Sequence, residues 1–214
     1  MSVNLIAIDY GEKRCGIALG GNVPSRIFTV ERSKVFEVLT RYDASTVVVG
    51  MPLSMSGRYS RQTFECIAFA EKIKKKFRKE VFLVDERLSS RMFQGRENVD
   101  GLSAAEIFER FVAHGTGIYK LREPEKVYDE TIEEVHRCPG KLLIAHLSDT
   151  RLCRENCVVL QEEPYHAYLF HKRGCHVERD ERFLEQFAPF DIIVTRRGSN
   201  LERFLKSGGR MVCL

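Results

Sequence analysis

Apolar residues run almost unbroken from Val3 to Ile8 and end on Asp9. The turn Tyr10-Gly11-Glu12-Lys13-Arg14 follows, then a second apolar run from Cys15 to Leu19, and the pair predicts a hairpin. Gly20-Gly21-Asn22-Val23-Pro24 supplies a further turn, and Arg26 to Val30 predicts a third strand of an antiparallel meander. A short helix over Ser33 to Tyr42, capped by Ser33, and the valine-rich strand Thr46 to Gly50 begin a β-α-β alternation. From Ser60 to Phe77 the apolar positions Phe64, Ile67, Ala70, Ile73 and Phe77 recur at a helical period. The strand Val81 to Val84 runs into Asp85-Glu86-Arg87, and a helix is expected from Ser103 to His114, stopped by Gly115 and Gly117.

From Tyr119 to Pro139 the chain turns polar and acidic. The expected organisation is therefore one domain over 1–120, a linker over 121–140 with helical character at Glu125 to His136, and a smaller α/β domain over 141–214. In that last part strands are expected at Leu142 to Leu147, Cys157 to Leu160, His176 to Glu178, Asp191 to Thr195 and Arg210 to Leu214. Helices are expected at Pro164 to Arg173 and Ser199 to Lys206.

Composition narrows the function classes. With 43% hydrophobic and 30% charged residues, and no apolar run of membrane-spanning length, the chain is expected to be globular and not membrane-bound. Its N-terminus enters a strand pattern without a secretory signal, so a cytoplasmic location is expected. The seven cysteines are expected to be reduced thiols; Cys153 and Cys157 stand in a C-x3-C spacing with Cys138, Cys175 and His146 near in sequence, but paired C-x2-C knuckles specific to zinc are missing. Up to Lys120 there are 19 basic and 14 acidic residues, against 15 and 16 beyond it, so the basic excess that suits a phosphate-rich partner lies in the first part.

Three acidic positions fall where a sheet protein gathers chemistry: Asp9 at the end of the first strand, Asp85-Glu86 at the end of the last, and Asp100 just before a helix. Crowded carboxylates repel unless a cation neutralises them, and Mg²⁺ and Mn²⁺ prefer oxygen ligands. Taken singly, each acid is more often a cap or a surface charge.

The run Ile8-Asp9-Tyr10-Gly11-Glu12-Lys13-Arg14-Cys15-Gly16-Ile17-Ala18 resembles the D-x-G-x-K-R-x-G signature of the YqgF/RuvX family. Val49-Gly50-Met51-Pro52-Leu53-Ser54-Met55-Ser56-Gly57 with Gln62-Thr63, and Val84-Asp85-Glu86-Arg87-Leu88-Ser89-Ser90, resemble two further family blocks in the same order. Val99-Asp100-Gly101-Leu102-Ser103-Ala104-Ala105 resembles the helix start that supplies the family's last carboxylate. The resemblance covers Val3 to about Gly115. It implies an α/β fold with an RNase H-like mixed sheet flanked by helices, and a metal-dependent nuclease that processes the 5′ end of pre-16S rRNA. The alternatives are a Holliday junction resolvase, which needs a homodimer to face two strands, and a non-catalytic nucleic-acid-binding scaffold.

By the same resemblance Asp9, Glu86 and Asp100 hold Mg²⁺ or Mn²⁺, a pair of ions with Asp9 bridging. Asp85 is expected to be structural, because adjacent strand residues point to opposite faces. Lys13, Arg14, Arg58, Arg61 and Arg87 are candidates to hold the backbone of structured RNA or branched DNA, or else exposed charges and ion-pair partners. No activity is assigned to the C-terminal part, where Asp149-Thr150-Arg151 and Arg196-Arg197-Gly198-Ser199-Asn200 flank strand ends.

Overall fold

The computed structural model describes residues 3–86 and 99–214, the side chains of 99 and 100 excepted. The chain divides into two compact units, Met1–Ser56 with Ser60–Leu121, and Gly57–Tyr59 with Arg122–Leu214.

In the first unit β1 (Leu5–Tyr10), β2 (Arg14–Gly20) and β3 (Pro24–Glu31) form the expected antiparallel meander. A 3-10 turn at Arg32–Lys34 and α1 (Val35–Arg41) lead to β4 (Thr46–Met51), which lies parallel to β1. Ser33 falls inside the 3-10 turn, and α1 begins without a side-chain cap. After α2 (Arg61–Phe77), β5 (Glu80–Asp85) adds parallel to β4. After α3 (Val99–Val112), β6 (Ile118–Lys120) closes the sheet antiparallel to β5. The order β3-β2-β1-β4-β5-β6 is the RNase H-like mixed sheet that the resemblance implies. The central β1 and β4 are buried on both faces, as their continuous apolar runs require.

Leu5, Ala7, Ala18, Val48 and Val84 share one face of this sheet and pack on Ala104, Ala105, Ile107 and Phe108 of α3. That helix starts at Val99, four residues before the expected Ser103. Gly101 permits the early start: a Cβ there would stand 3.1 Å from Ile27 Cγ2 on β3, so its absence lets the first turn lie close to the sheet. Ser60 and Thr63 open α2 with a reciprocal cap, Thr63 N donating to Ser60 Oγ over 3.1 Å and Ser60 N to Thr63 Oγ1 over 3.0 Å.

The second unit is a parallel sheet of β7 (Leu142–Ala145), β8 (Cys157–Leu160), β9 (His176–Glu178), β10 (Phe190–Thr195) and β11 (Leu205–Cys213), in the order β11-β10-β7-β8-β9. Strand alternation divides its core: Leu142, Ile144, Val159, Ile192 and Val194 meet Val135 of α4 (Asp129–Arg137) and Phe170 of α5 (Pro164–Lys172). Leu143, Ala145, Val158, Leu160 and Ile193 face the other way, toward Leu184, Leu201 and Phe204. The helix expected from Ser199 to Lys206 is not formed. One 3-10 turn, Glu202–Phe204, suffices to bury Leu201 and Phe204, and β11 already begins at Leu205. Among the described residues no helix is long and apolar enough to cross a membrane.

Candidate metal centre

Strand register brings the two leading acids together. Ile8 pairs with Val49 and Gly50 with Val84, so Asp9 near the end of β1, Gly50 near the end of β4 and Glu86 just past β5 lie on neighbouring strands. Their parity puts them in line with Ala7, Val48 and Val84, on the face that α3 covers. A Cβ at Gly50 would stand 1.5 Å from Glu86 Oε1 and 2.6 Å from Ile107 Cδ1. Glycine is therefore required there for space, and the Glu86 carboxyl fills the volume a side chain would take. The Glu86 amide donates to Met51 O over 3.2 Å, which fixes the backbone beyond the strand.

Burial, then the charge of Asp9, push the Glu86 carboxyl up to about 8, while Arg110 pulls it the other way. The same two carboxylates reach Cys66 on α2, whose thiol is raised first by burial and then by Glu86 and Asp9. Two acids this close form a cradle of negative charge with oxygen donors, a donor set that fits a hard divalent cation. Asp85 is buried; its amide donates to Gly117 O over 2.9 Å and its carbonyl accepts from Arg110 Nη1.

Asp100 is the second residue of α3 rather than a residue ahead of it, and its side chain lies outside the described residues, as does all of Arg87. Lys13 and Arg14 are exposed at the β1–β2 turn. Arg61 opens α2, with 93% of its side chain exposed, and pairs with Glu65 over 3.0 Å. Arg58 is engaged otherwise: it belongs to the second unit, forks onto the buried carboxylate of Glu178 with Nε to Oε2 at 3.0 Å, and lies 4.7 Å from the centre of the Phe183 ring.

Sequence reasoning missed Gly50 as a space-giving residue, and also Cys66, Arg110 and Arg32. Arg32 stands 4.5 Å over the ring of Tyr10, which stacks on Phe69 with centroids 4.0 Å apart. The family-like block around Gly50 was the available signal for that residue, while nothing in the local sequence marks the others.

In the second unit Asp149 and Arg151 are bound to each other. Asp149 also accepts from the amide of Val127 over 2.9 Å, and Arg151 reaches Asp129 over 2.6 Å. A cleft of about 570 Å³, lined by Lys126, Tyr128, Ser148, Arg196 and Arg197 among others, opens at the ends of β7 and β10, where the strand order reverses. Arg196 there is held by Glu125 over 2.6 Å and by His146 O over 3.0 Å.

Comparison with known proteins adds the following. The family model described as RuvX, Holliday junction resolvase, matches residues 3–114. A protein of Thermotoga maritima named "Putative pre-16S rRNA nuclease" is 32% identical over 214 residues, covering 98% of this chain and 94% of that one. Relatives of the same name from Alcanivorax borkumensis and Rickettsia conorii are 30% and 34% identical. The first match covers 54% of this chain and 99% of the relative, the second 42% and 65%. Among solved structures, Thermus thermophilus RuvC in complex with a Holliday junction substrate matches with a TM-score of 0.38 at 14% identity, covering 56% of this chain and 99% of that one.

Proposed function

The chain belongs to the RuvX family, described as Holliday junction resolvases, and from that premise we propose that it is a divalent-metal-dependent endonuclease acting on structured nucleic acid. The observation that carries this reading is the placement of Asp9 and Glu86 on one face at the ends of β1 and β5, with Glu86 seated over Gly50 and its carboxyl raised by the charge of Asp9. Asp9, Glu86 and Asp100 would hold the metal. When bound, Mg²⁺ or Mn²⁺ would supply an activated water and neutralise developing negative charge on the phosphodiester oxygens.

The protein's own groups do the rest. Without a cation the Glu86 carboxyl keeps its proton; its release makes the site an all-oxygen anion cradle. Apolar α3 residues, Ile107 foremost, wall the acids off from water on one side. Lys13, Arg14 and Arg61, all exposed, are the basic groups available to phosphates around it, and Arg87 is a further candidate by its place in the motif.

The substrate we propose first is the 5′ end of pre-16S rRNA, handled in the cytoplasm, because relatives matching 54% and 98% of the chain carry the pre-16S rRNA nuclease name. Cleavage of a four-way junction by a homodimer is the second reading, favoured by the family's description. The test is cleavage of a pre-16S rRNA fragment and of a four-way DNA junction side by side, with Mg²⁺ or Mn²⁺ titrated into wild type and Asp9→Asn. Metal-dependent cutting that Asp9→Asn abolishes supports the nuclease, and the preferred substrate decides between the readings. A wild type that cuts neither overturns the proposal in favour of a binding scaffold, and an Asp9→Asn variant that cuts as well as wild type overturns the assignment of the site.

A further inference from the structure

Cys153 and Cys157 stand four positions apart and Cys175 is 18 beyond Cys157, yet all three converge at the end of the parallel sheet where β8 and β9 begin. Cys153 follows the 3-10 turn Thr150–Leu152, Cys157 is the first residue of β8, and Cys175 directly precedes β9. Their sulfurs all lie within 4.8 Å of one another, Cys175 Sγ being 2.9 Å from Cys153 Sγ and 3.4 Å from Cys157 Sγ. All three are free thiols, since a disulfide would need about 2.05 Å. In a tetrahedral Zn²⁺ site with Zn–S bonds of about 2.3 Å, neighbouring sulfurs stand about 3.8 Å apart. The observed separations, 2.9 Å, 3.4 Å and at most 4.8 Å, bracket that edge length.

The surroundings are those of a charged sulfur cluster rather than of three buried methyl-sized fillers. Nε and Nη2 of Arg154, in the loop between two of the cysteines, are buried and meet no hydrogen-bond acceptor among the described residues. A buried guanidinium with open donors needs negative charge nearby. Asn156, with φ of 57°, turns the three-residue loop sharply enough to return Cys157 beside Cys153. Around the sulfurs the core is apolar, with Val135, Leu152 and Phe170 in the same cluster.

We propose that Cys153, Cys157 and Cys175 form a three-thiolate site for a soft, thiophilic divalent cation, Zn²⁺ by its fit, that ties the turn before β8 to the starts of β8 and β9. Each thiol releases its proton on binding. Arg154 offsets the net negative charge that three thiolates and one divalent cation leave, and Cys153 is half-buried, so the site can be reached from solvent. This site is separate in chemistry from the carboxylate pair of the first unit: sulfur donors select soft cations and oxygen donors hard ones.

The experiment uses the full chain, reduced and stripped of metal, with Mg²⁺ in excess so that carboxylate sites are filled. Cd²⁺ alone is then titrated while the ultraviolet thiolate-to-metal charge-transfer band is followed. The expected result is a band that saturates at one Cd²⁺ per chain, and Zn²⁺ competes it away. Cys157→Ser and Cys175→Ser lose the band or weaken binding more than tenfold, and Cys213→Ser, at an exposed position, keeps it. Because a serine variant can fail to fold, wild type is also alkylated with and without Zn²⁺; Zn²⁺ should protect Cys153 while Cys213 labels in both. Absence of the band in reduced wild type, or a band that survives Cys157→Ser, overturns the proposal, as does alkylation of Cys153 at the same rate with Zn²⁺ present.

Discussion

Glu86 keeps its proton at a pH where an ordinary glutamate has lost it, because burial and the neighbouring charge of Asp9 both disfavour the anion. A carboxyl raised in the folded state contributes most below the unfolded value near 4.5, and that contribution drains away as the pH rises toward about 8. In chelator, wild type should therefore lose up to about 5 kcal/mol of stability across that window, and Glu86→Gln should lose much less. Denaturant unfolding of both proteins at several pH values checks this; equal pH slopes would sink it. Gly50 acts through absence. Gly50→Ala alters no charge, yet its methyl group would occupy the place of Glu86 Oε1. It should cost about 1–3 kcal/mol of stability by overpacking. It should also lower kcat at least about 10²-fold by displacing the carboxylate, read in single-turnover cleavage at saturating Mg²⁺. Asp9 and Glu86 were legible in the sequence because acids at strand ends within three ordered motifs mark them. The ion pair of Arg58 with Glu178 was not legible, because the two are 120 residues apart and no local pattern joins them.

At the level of elements, long apolar runs and helical periods identified β1, β2, β4, β5, α2 and α5 close to their observed places. Shorter segments were decided by contacts the sequence does not display. α3 begins early because a glycine fits against β3, and Leu201 and Phe204, spaced as on a helix, need only a single 3-10 turn to reach the core. The entry to β8 shows how such a loop is held. Asp149 is buried; although burial raises its pKa, hydrogen bonds from Arg151 and from the amides of Val127 and Arg151 outweigh that and leave it below the usual carboxylate value. Such a depressed carboxyl gives stability above the unfolded value near 3.8 that is lost as the pH falls through the folded one. Asp149→Asn should destabilise the second unit by about 2–3 kcal/mol near neutral pH, and the deficit should shrink in acid. Hydrogen exchange of β7 and β8 amides in the two proteins measures it; a deficit independent of pH would assign the loss to packing instead.

The whole molecule was legible unevenly. Motifs placed the RNase H-like sheet of the first unit, whereas in the second the alternation of strands and helices announced an α/β module without its strand order. That order rests on pairings such as β10 with β7, nearly 50 residues apart in the chain, which only the assembled sheet decides. The first sheet ends on β3, an eight-residue strand that pairs with β2 on one side and with no strand among the described residues on the other. Such a free backbone edge is a template on which further copies can add strand by strand into fibrils. Pro24 removes one donor from the strand, and Arg26 and Glu31 set exposed charges along it, so a growing stack would have to bury like charges against each other. Replacing both charges, as in Arg26→Val with Glu31→Val, should turn a clear solution into one that binds thioflavin on agitation while the wild type stays clear. The residues that keep this chain from polymerising would then be found apart from its acids, on the edge strand of the sheet that carries them.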